Sequence, residues 1–392
     1  MTTQTFNYPL SLPATEDPYP TYKQMRDNDP AHYSDTEDIW VLTRFDDCFA
    51  AFSDWETWSS ERRGNLLNDL PQRIGRTLGT TDPPRHTFAR GLVNRAFTPR
   101  TVAQLLPPIQ RQAKALSDAA RQKGAIEFSA DFSAPFNAGI LGAMFGLPDS
   151  EFLRLRHWLD DFFLRDAAPD DGGDPPQVVA MGELRSYLDE LADERAANPG
   201  DDLMSAMIGA EQDGQRLTRD QVVVTTMTFL TAGFESVNNL FTNLVHALDK
   251  HPHVLAALKN DPQLVPTFVE EGMRWDAPAQ GFVRTPTHDV QLHDKTIPEG
   301  AQVLLHIGAA NRDDRQFDIP DQFSLERGNP RHLALGQGVH FCVGAPLGRQ
   351  MTRIAFEELL AVSDRWDVDL SATTRVTTPN FRGFSRLPLT IA

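Results

Sequence analysis

The sequence predicts a mainly α-helical chain with a minor β region, organised around one long buried helix. Apolar residues recur with helical spacing over residues 102–121 and 182–197. Strand-type segments are short, at residues 39–43, 290–292 and 302–307. The third observation is the segment 218–250, which is apolar on nearly every side and far longer than a strand. Together these patterns favour a helical body crossed by one central helix, with small sheets beside it.

The long helix has clear signals at both ends. Thr218 and Gln221 have the spacing of a capping box, and a proline soon after Lys250 ends the helix. Gly233 and Glu235 lie in its middle, where a glycine costs about 1 kcal/mol relative to alanine and a buried carboxylate costs more. Packing alone requires neither residue. We therefore expect a close approach to the helix at this point and a use for the carboxylate.

The remaining segments complete the chain without dividing it. A turn at residues 298–300 separates two of the short strands, and residues 382–391 are apolar and non-helical. Within them, Pro388 allows only an edge or irregular strand. The stretch 167–176 is rich in Pro, Gly and Asp, but it is short and predicts a surface loop rather than a linker. We expect residues 1–392 to form a single domain.

Composition and charge argue against several classes of protein. Of the 392 residues, 40% are hydrophobic, and the formal net charge is −17. Such an acidic chain lacks the basic surface that binders of nucleic acid or of anionic membranes need. Residues 1–17 are polar, and the apolar stretch 222–234 is too short to span a bilayer. Because Cys48 and Cys342 are the only cysteines, a disulfide framework is not expected, and the prediction is a cytoplasmic protein.

A lone cysteine in a glycine-rich loop is the most informative feature. Gly336, Gly338 and Gly344 surround Cys342, and a helical pattern follows over residues 345–360. Glycines let a backbone turn tightly against a flat ligand, and N–H groups at a helix start favour a thiolate. A thiolate held in this way suits iron. The alternatives are a small buried hydrophobic residue, which we expect for Cys48, and a nucleophile paired with a histidine.

This loop closely resembles the haem loop of the cytochrome P-450 family, written F-x-x-G-x-x-x-C-x-G. The match falls on Gly338, Cys342 and Gly344, while Leu335 replaces the phenylalanine. The resemblance implies haem b (iron protoporphyrin IX) with Cys342 as the iron ligand, and the P-450 fold with its long central helix crossing the haem. The loss of an aromatic neighbour is expected to change the electronic tuning of the sulfur and to leave ligation intact.

Further motifs extend the resemblance along the chain. Glu271 and Arg274 match the E-x-x-R helix of the family, and Arg327 stands where its third partner is found. The i, i+3 spacing puts both charges on one helix face, which read alone predicts a solvated surface pair. In this register we interpret the three residues as a structural ion-pair network, needed for folding and not for chemistry.

The resemblance also implies how the haem is held. His86 and Arg90 lie in a segment similar to D-P-P-x-H-x-x-x-R, with an i, i+4 spacing that suits a haem propionate. Arg284 and His340 match further propionate-binding positions, and Gly233 provides the close approach of the long helix. Taken one at a time, each of the four basic residues is equally typical of a surface base.

Residues 232–236 resemble the A-G-x-D/E-T segment of the family, in which an acid and an alcohol deliver protons to bound dioxygen. Glu235 supplies the acid, and Ser236 replaces the usual threonine. Serine keeps the hydroxyl but lacks the methyl group that restricts its rotamer. Loss of reducing equivalents as peroxide, or use of peroxide itself, therefore becomes an alternative. A helix kink with an incidental serine is the structural interpretation.

The implied function is a monooxygenase that inserts one oxygen atom of O2 into a small apolar or aromatic organic substrate, by hydroxylation or oxidative dealkylation. The substrate-pocket residues placed by resemblance are Leu230, Phe234, Phe282 and Phe384, with the segments 66–76 and 162–170. Arg73 and Arg382 are candidate partners of a substrate carboxylate, with an ordinary surface charge as the alternative. A peroxide-driven peroxygenase and a non-catalytic haem sensor are the rival functions.

Electrons are expected from separate proteins, because the sequence contains no flavin, nicotinamide or iron–sulfur motif. A ferredoxin or flavodoxin with its NAD(P)H reductase is the predicted partner. Five arginines flank the segments expected on the thiolate side of the haem, namely Arg95, Arg100, Arg331, Arg349 and Arg353. Against the acidic total they suggest a docking patch for an acidic partner, with simple solvation as the alternative.

Overall fold

The computed structural model describes residues 8–67, 69, 71–163 and 174–391. Over these residues the chain is mainly helical, as predicted. The α-helices are α1 Tyr19–Asn28, α2 Phe45–Ser53, α3 Arg85–Ala96, α4 Pro99–Lys123, α5 Ala134–Met144, α6 Phe152–Phe163, α7 Pro176–Ala197, α8 Leu203–Gly209, α9 Arg219–Lys250, α10 Pro252–Asn260, α11 Val265–Trp275, α12 Ile307–Ala310 and α13 Ala345–Val362. None of the helices so described is long and apolar enough to cross a membrane.

The long helix α9 confirms the sequence prediction at both ends. The Thr218 N–H donates to Gln221 Oε1 at 2.8 Å, and the Gln221 N–H donates to Thr218 Oγ1 at 3.2 Å. This reciprocal pair satisfies two backbone donors that the first turn leaves free. The helix ends at Lys250. It packs against α5, α7 and α11, which places its middle turns inside the protein.

The strands form four small sheets among the described residues. The strands are β1 Ala31–Ser34, β2 Ile39–Leu42, β3 Trp58–Ser59, β4 Ala125–Glu127, β5 Phe282–Pro286, β6 Val290–Leu292, β7 Lys295–Ile297, β8 Val303–Leu305, β9 Trp366–Val368, β10 Thr374–Arg375, β11 Phe384–Arg386 and β12 Pro388–Ile391. The largest sheet has the order β1-β2-β8-β5-β3, and a second has the order β4-β12-β9; β6 pairs with β7 and β10 with β11.

Two strand expectations need correction. The strand β6 does not pair across the predicted turn at 298–300; it pairs with β7 across His293 and Asp294, both with positive φ. The last strand, β12, is the central strand of its sheet rather than an edge. Pro388 is tolerated there because it is the first residue of the strand, where a missing N–H removes little from the ladder. The predicted loop at 167–176 lies largely outside the described residues.

A chain of aromatic contacts fixes the helices that carry the site. The ring centroids of Phe136 in α5 and Phe241 in α9 are 5.6 Å apart, and Phe241 lies 5.6 Å from Phe356 in α13. Phe268 in α11 lies 5.5 Å from Phe356. Such pairs contribute about 0.5–1.5 kcal/mol each beyond the area that they bury. They hold α9 against α13, the helix that follows the cysteine loop.

Candidate active site

The cysteine loop is shaped by two glycines. Gly336 and Gly338 have φ angles of +67° and +68°, a region that costs other residues roughly 1–2 kcal/mol. A Cβ at Gly338 would lie 2.7 Å from the carbonyl oxygen of Phe52 in α2. The loop then closes, and the Cys342 N–H donates to the Leu335 oxygen at 2.9 Å. Gly338 is therefore required by its backbone angle and by the packing of the loop on α2.

Cys342 lies directly before α13 as a free, half-buried cysteine. Burial raises the pKa of its thiol, whereas the backbone N–H groups of Gly344 and Ala345 and the charge of Arg90 lower it. A bound cation would decide this balance, since a coordinated thiol is deprotonated. A Cβ at Gly344 would lie 3.9 Å from the sulfur, an ordinary contact. The contribution of Gly344 is therefore its N–H rather than its small size.

Cys48 has different surroundings. It is fully buried in α2, and its thiol donates to the carbonyl oxygen of Leu42 at 3.2 Å. Burial raises its pKa well above the usual value. It packs as a small hydrophobic residue, which is the role that the sequence predicts for it.

One cavity joins the cysteine loop to the middle of α9. It has a volume of about 340 Å³, with Cys342 in its wall together with Gly233, Glu235 and Ser236 of α9. Six phenylalanines contribute to the remaining wall, namely Phe52, Phe97, Phe162, Phe229, Phe282 and Phe381. The structure thus brings the predicted iron ligand and the predicted proton-relay residues to the same cavity.

Two histidines lie together, and one of them belongs to the cavity wall. The rings of His86 and His340 are 4.4 Å apart, and His340 lines the cavity. Both ring nitrogens of His86 and the Nε2 of His340 are buried without a hydrogen-bond partner among the described residues. The Asp82 carboxylate lies 3.9 Å from His340 Nε2, beyond hydrogen-bonding distance. Burial, with the neighbouring charges of His340 and Arg90, lowers the pKa of His86 to about 4.

Two arginines line the same cavity. Arg284 in β5 is 4% exposed, and its Nη1 donates to the carbonyl oxygen of Val283 at 2.8 Å. It forms no ion pair within the part of the chain that the structure describes, and burial lowers its pKa to about 10. Arg90 Nη2 donates to the carbonyl oxygen of Phe341 at 2.8 Å. Neither guanidinium group forms a salt bridge to a carboxylate within the described ranges, although the charge of Asp82 opposes the lowering of the pKa of Arg284.

These basic groups fit an anionic cofactor. Buried polar atoms in proteins nearly always have partners, yet three imidazole nitrogens here have none among the described residues. Haem carries two propionates, which would supply acceptors to His340, Arg90 and Arg284, with His86 behind His340. Its iron would then require the soft ligand that Cys342 provides. The donors present are those that haem needs.

The helix α9 stays continuous through the predicted relay. Ser236 Oγ donates to the carbonyl oxygen four residues earlier at 2.7 Å, so the hydroxyl bonds to the helix rather than to Glu235. Glu235 is 6% exposed, and its Oε1 accepts from Asn239 Nδ2 at 2.8 Å. A Cβ at Gly233 would lie 3.0 Å from the Leu141 side chain. Packing against Leu141 is therefore one reason for a glycine at position 233, besides the expected close approach of a ligand.

Three of the four predicted pocket residues lie elsewhere. Phe282 lines the cavity, but Leu230 and Phe234 are almost fully buried in the core and do not. Phe229 lines the cavity in their place, because one residue along a helix rotates a side chain by about 100°. Phe384 packs against a histidine ring of α9, 5.1 Å away. The resemblance therefore places the pocket at the right turn of α9 but selects residues on the wrong side of the helix.

Sequence reasoning missed three residues at the site. Phe229 shares a face with Gly233 and Ser236, at positions i, i+4 and i+7, so the helical period could have predicted it. Asn239, one turn after Glu235, could have been found in the same way. Phe381 carried no local signal, because tertiary packing alone brings it to the cavity.

The predicted wall segments are described in part. Leu66 and Arg73 from the segment 66–76 line the cavity, as does Phe162 from the segment 162–170. Residues 68, 70 and 164–170 lie outside the described residues.

The two arginines considered for a substrate carboxylate have protein partners. Arg73 Nη1 pairs with Asp69 at 2.8 Å. Arg382 is 2% exposed, and its Nε donates to Asp276 at 2.8 Å. Arg382 is therefore neither a surface charge nor a residue of the cavity wall, and both interpretations of it were wrong. A buried guanidinium requires such a partner.

The E-x-x-R residues form a buried network. Glu271 and Arg274 both have fully buried side chains, joined by bonds of 2.7 and 2.8 Å. Glu271 Oε1 also accepts from the Ser324 N–H at 2.9 Å and from Arg327 Nε at 3.2 Å. Arg274 donates further to three backbone carbonyl oxygens. The pair is therefore not a solvated surface bridge, and all three predicted residues meet.

The predicted docking arginines are not equivalent. Arg349 binds Glu270 through two bonds of 2.6 and 2.8 Å, and Arg353 pairs with Glu357 at 2.8 Å. Arg331 is exposed and lies 4.2 Å from the centroid of a phenylalanine ring. The remaining two, Arg95 and Arg100, are exposed and form no ion pair within the described ranges. Three of the five predicted arginines are therefore exposed cations without a salt bridge among the described residues.

Known proteins resemble the chain over most of its length. A profile of the family described as Cytochrome P-450 matches residues 179–391, more than half of the sequence. The putative cytochrome P-450 123 of Mycobacterium bovis is 34% identical, covering 96% of this chain and 94% of that protein. The cytochrome P-450 monooxygenase PikC of Streptomyces venezuelae is also 34% identical, covering 95% and 91%. The solved structure of cytochrome P-450 CYP109Q5 from Chondromyces apiculatus superposes with a TM-score of 0.88 at 31% identity, covering 98% of this chain and 100% of that one. Because a family profile matches more than half of the sequence and relatives are 34% identical over nearly its whole length, this chain belongs to the cytochrome P-450 family.

Proposed function

We propose that this monooxygenase inserts one oxygen atom of O2 into a small apolar or aromatic organic substrate, by hydroxylation or oxidative dealkylation, using haem b. The observation that carries the proposal is that Cys342 and the Gly233–Ser236 turn of α9 line one cavity. Bound haem supplies the redox chemistry that activates dioxygen. The protein has to hold the cofactor, present the substrate and move protons.

The chain has residues for each of these tasks. Cys342 holds the iron, and Arg90, Arg284 and His340 hold the propionates, with His86 supporting His340. Glu235 exchanges protons at its carboxylate, and Ser236 passes one from its hydroxyl to the cavity. In the structure that hydroxyl donates to a helix carbonyl at 2.7 Å, so it has to rotate before it donates elsewhere. Serine rotates more freely than threonine, because it lacks the second substituent on Cβ.

The aromatic wall supports the proposed substrate class. Phe97, Phe229 and Phe282 line the cavity with Leu141 and Met144, and apolar walls favour apolar ligands by excluding water. We assign the glutamate and serine of α9, which also line the cavity, to proton transfer and not to substrate recognition.

Electrons come, in this proposal, from a ferredoxin or flavodoxin with its NAD(P)H reductase. Arg95, Arg100 and Arg331 support an acidic partner, because they are exposed cations on a chain with a net charge of −17. The free thiols of Cys48 and Cys342 are compatible with a reducing cytoplasm.

A comparison of electron sources tests the proposal. Purified holoprotein is first screened against a library of apolar substrates for the change from low-spin to high-spin iron. Turnover of a tight-binding substrate is then measured with NADH, ferredoxin and reductase, and separately with peroxide. We expect the first system to form product. Product with peroxide alone would establish a peroxygenase, an alternative that the serine at position 236 supports, and no product in either system would leave a haem sensor.

The Ser236 variants test the relay within this function. Ser236→Ala should keep haem and substrate binding, since alanine is the better helix former, yet release more peroxide per NADH. Ser236→Thr should improve coupling because a threonine hydroxyl has fewer rotamers. Product and peroxide per NADH are measured with one substrate in all variants. Unchanged coupling in both would show that the hydroxyl carries no proton.

A further inference from the structure

Asn239 lies one helical turn beyond Glu235, on the same face of α9. It is 2% exposed, and its Nδ2 donates to Glu235 Oε1 at 2.8 Å. Hydrogen bonds to charged groups are stronger than those between neutral groups. The Asn239 amide is thus one donor to a carboxylate oxygen of Glu235, and it favours one orientation of that carboxyl group.

Asn239 is itself held from outside the helix. Gly383, in the last part of the chain, packs directly on it, and a Cβ at Gly383 would lie 2.7 Å from Asn239 Cα and in contact with Asn239 Oδ1. No real Cβ approaches a backbone atom so closely. The chain at residue 383 thus requires glycine because it presses against the part of α9 that orients the glutamate.

Neighbouring bonds fasten the same segment to α9. The Phe384 N–H donates to Thr242 Oγ1 at 3.1 Å, and Asn243 Nδ2 donates to the Arg382 carbonyl oxygen at 2.9 Å. Residues 382–384 are therefore bound to α9 within one turn of Asn239. Phe381, immediately before them, lines the cavity.

We propose that Asn239 is a positioning residue for proton delivery: its amide orients the Glu235 carboxylate at the cavity, and the segment 382–384 holds Asn239 in place. The inference rests on the proposed role of Glu235 as the relay acid. Asn239 does not exchange protons in this scheme. Its donor keeps the carboxylate in one orientation, so that proton transfer starts from a prearranged geometry.

The next residue along the helix provides a matched control. Asn238 Oδ1 accepts from Ser133 Oγ at 2.7 Å and from Asn137 Nδ2 at 3.0 Å. Both partners belong to the segment that leads into and forms α5, and no hydrogen bond joins Asn238 to Glu235 among the described residues. Loss of the Asn238 side chain removes partly buried hydrogen bonds from the same helix but leaves the Asn239–Glu235 bond in place.

The experiment compares holoenzyme variants by product and peroxide per NADH. Asn239→Leu keeps the size and branching of the side chain and removes the donor. We expect it to lower product per NADH about tenfold, with haem content and the carbon monoxide spectrum unchanged. Gly383→Ala should lower coupling in the same direction, because it displaces Asn239. Asn238→Leu should lose thermal stability while its coupling stays at the wild-type level.

A double-mutant cycle with Glu235→Gln separates positioning from a general structural effect. Adding Asn239→Leu to Glu235→Gln should cause no further loss of coupling, because the carboxylate that Asn239 orients has already been replaced by an amide that does not exchange protons in the relay. The free energies of unfolding of the four proteins, taken from urea titrations, should also be non-additive, because glutamine keeps an acceptor for Asn239 but loses the charge that strengthens the bond. Wild-type coupling in Asn239→Leu, or an equal loss in both backgrounds, would overturn the positioning role alone. Wild-type coupling in Glu235→Gln would overturn the relay and this inference with it.

Discussion

Removal of either member of the Glu271–Arg274 pair should destabilise the protein by about 3–5 kcal/mol, because it leaves an uncompensated buried charge. Both side chains are fully buried. The two losses are not equal. Without Arg274, the carboxylate keeps the Ser324 N–H and Arg327 Nε, whereas without Glu271 the guanidinium keeps backbone carbonyls and the Phe317 ring but no carboxylate among the described residues. Glu271→Ala should therefore be the more damaging change.

Urea unfolding of holoprotein, followed by far-ultraviolet circular dichroism, measures this difference. Domains are stable by only about 5–15 kcal/mol, so both variants should also give little soluble holoprotein. The control is Lys114→Ala, which breaks a pair with Asp118 whose side chains are 63% and 44% exposed and should cost about 0–1 kcal/mol. If both core variants unfold within about 1 kcal/mol of the wild type, the buried pair has no special role in stability and the reasoning fails.

Three further predictions concern stability. Burial opposes ionisation of Glu270, but the Arg349 ion pair lowers its pKa from 4.5 to about 2. Glu270→Gln should therefore lower the free energy of unfolding by about 3 kcal/mol. This difference from the wild type should be fully present above pH 4.5 and should shrink as the pH falls towards 2; a difference that does not change with pH would contradict this. Ile319 has a φ of +45° and is 71% exposed. Because asparagine tolerates this backbone angle better than isoleucine, Ile319→Asn should relieve about 1 kcal/mol of backbone strain and raise the urea midpoint. A lower midpoint would show that residue 319 is not strained. Gly338→Ala should lower haem content and cost more than about 1 kcal/mol, whereas Gly182→Ala, which meets open space in α7, should stabilise the helix by up to about 1 kcal/mol; equal effects would refute the steric argument.

Local chemistry made part of the molecule predictable. The ends of α9 follow from Thr218, Gln221 and the proline after Lys250, because capping and proline geometry act within one turn. The cysteine loop is predictable for a similar reason, because the glycines at positions 336 and 338 indicate the positive φ angles that the backbone adopts there. The fold class follows from periodicity, which most of the chain carries strongly.

The sequence did not predict which side of α9 faces the cavity. Leu230 and Phe234 were placed in the pocket, whereas Phe229 and Gly233 face it. A helix that is apolar on nearly every side carries little information about which side faces a cavity and which faces the core. Only the glycine and the serine at 236 mark the cavity side, and they predict Phe229 once their spacing is used.

The sequence also did not predict ion pairs or strand pairs between residues that lie far apart in the chain. Arg349 meets Glu270 across 79 residues and Arg382 meets Asp276 across 106. Nothing near either arginine predicts its carboxylate, so both were treated as available charges. The central position of β12 in its sheet is likewise decided by β4 and β9, which lie elsewhere in the chain.

The iron ligand is the central claim, and the carbon monoxide spectrum of reduced holoprotein tests it most directly. Wild-type protein should show the red-shifted Soret band of a thiolate-bound haem. Cys48→Ser should keep that band, because Cys48 is buried in α2 away from the cavity wall. Cys342→Ser should lose it, because serine offers no soft thiolate to the iron. An unchanged red-shifted band in Cys342→Ser, or its absence from the wild type, would contradict the account.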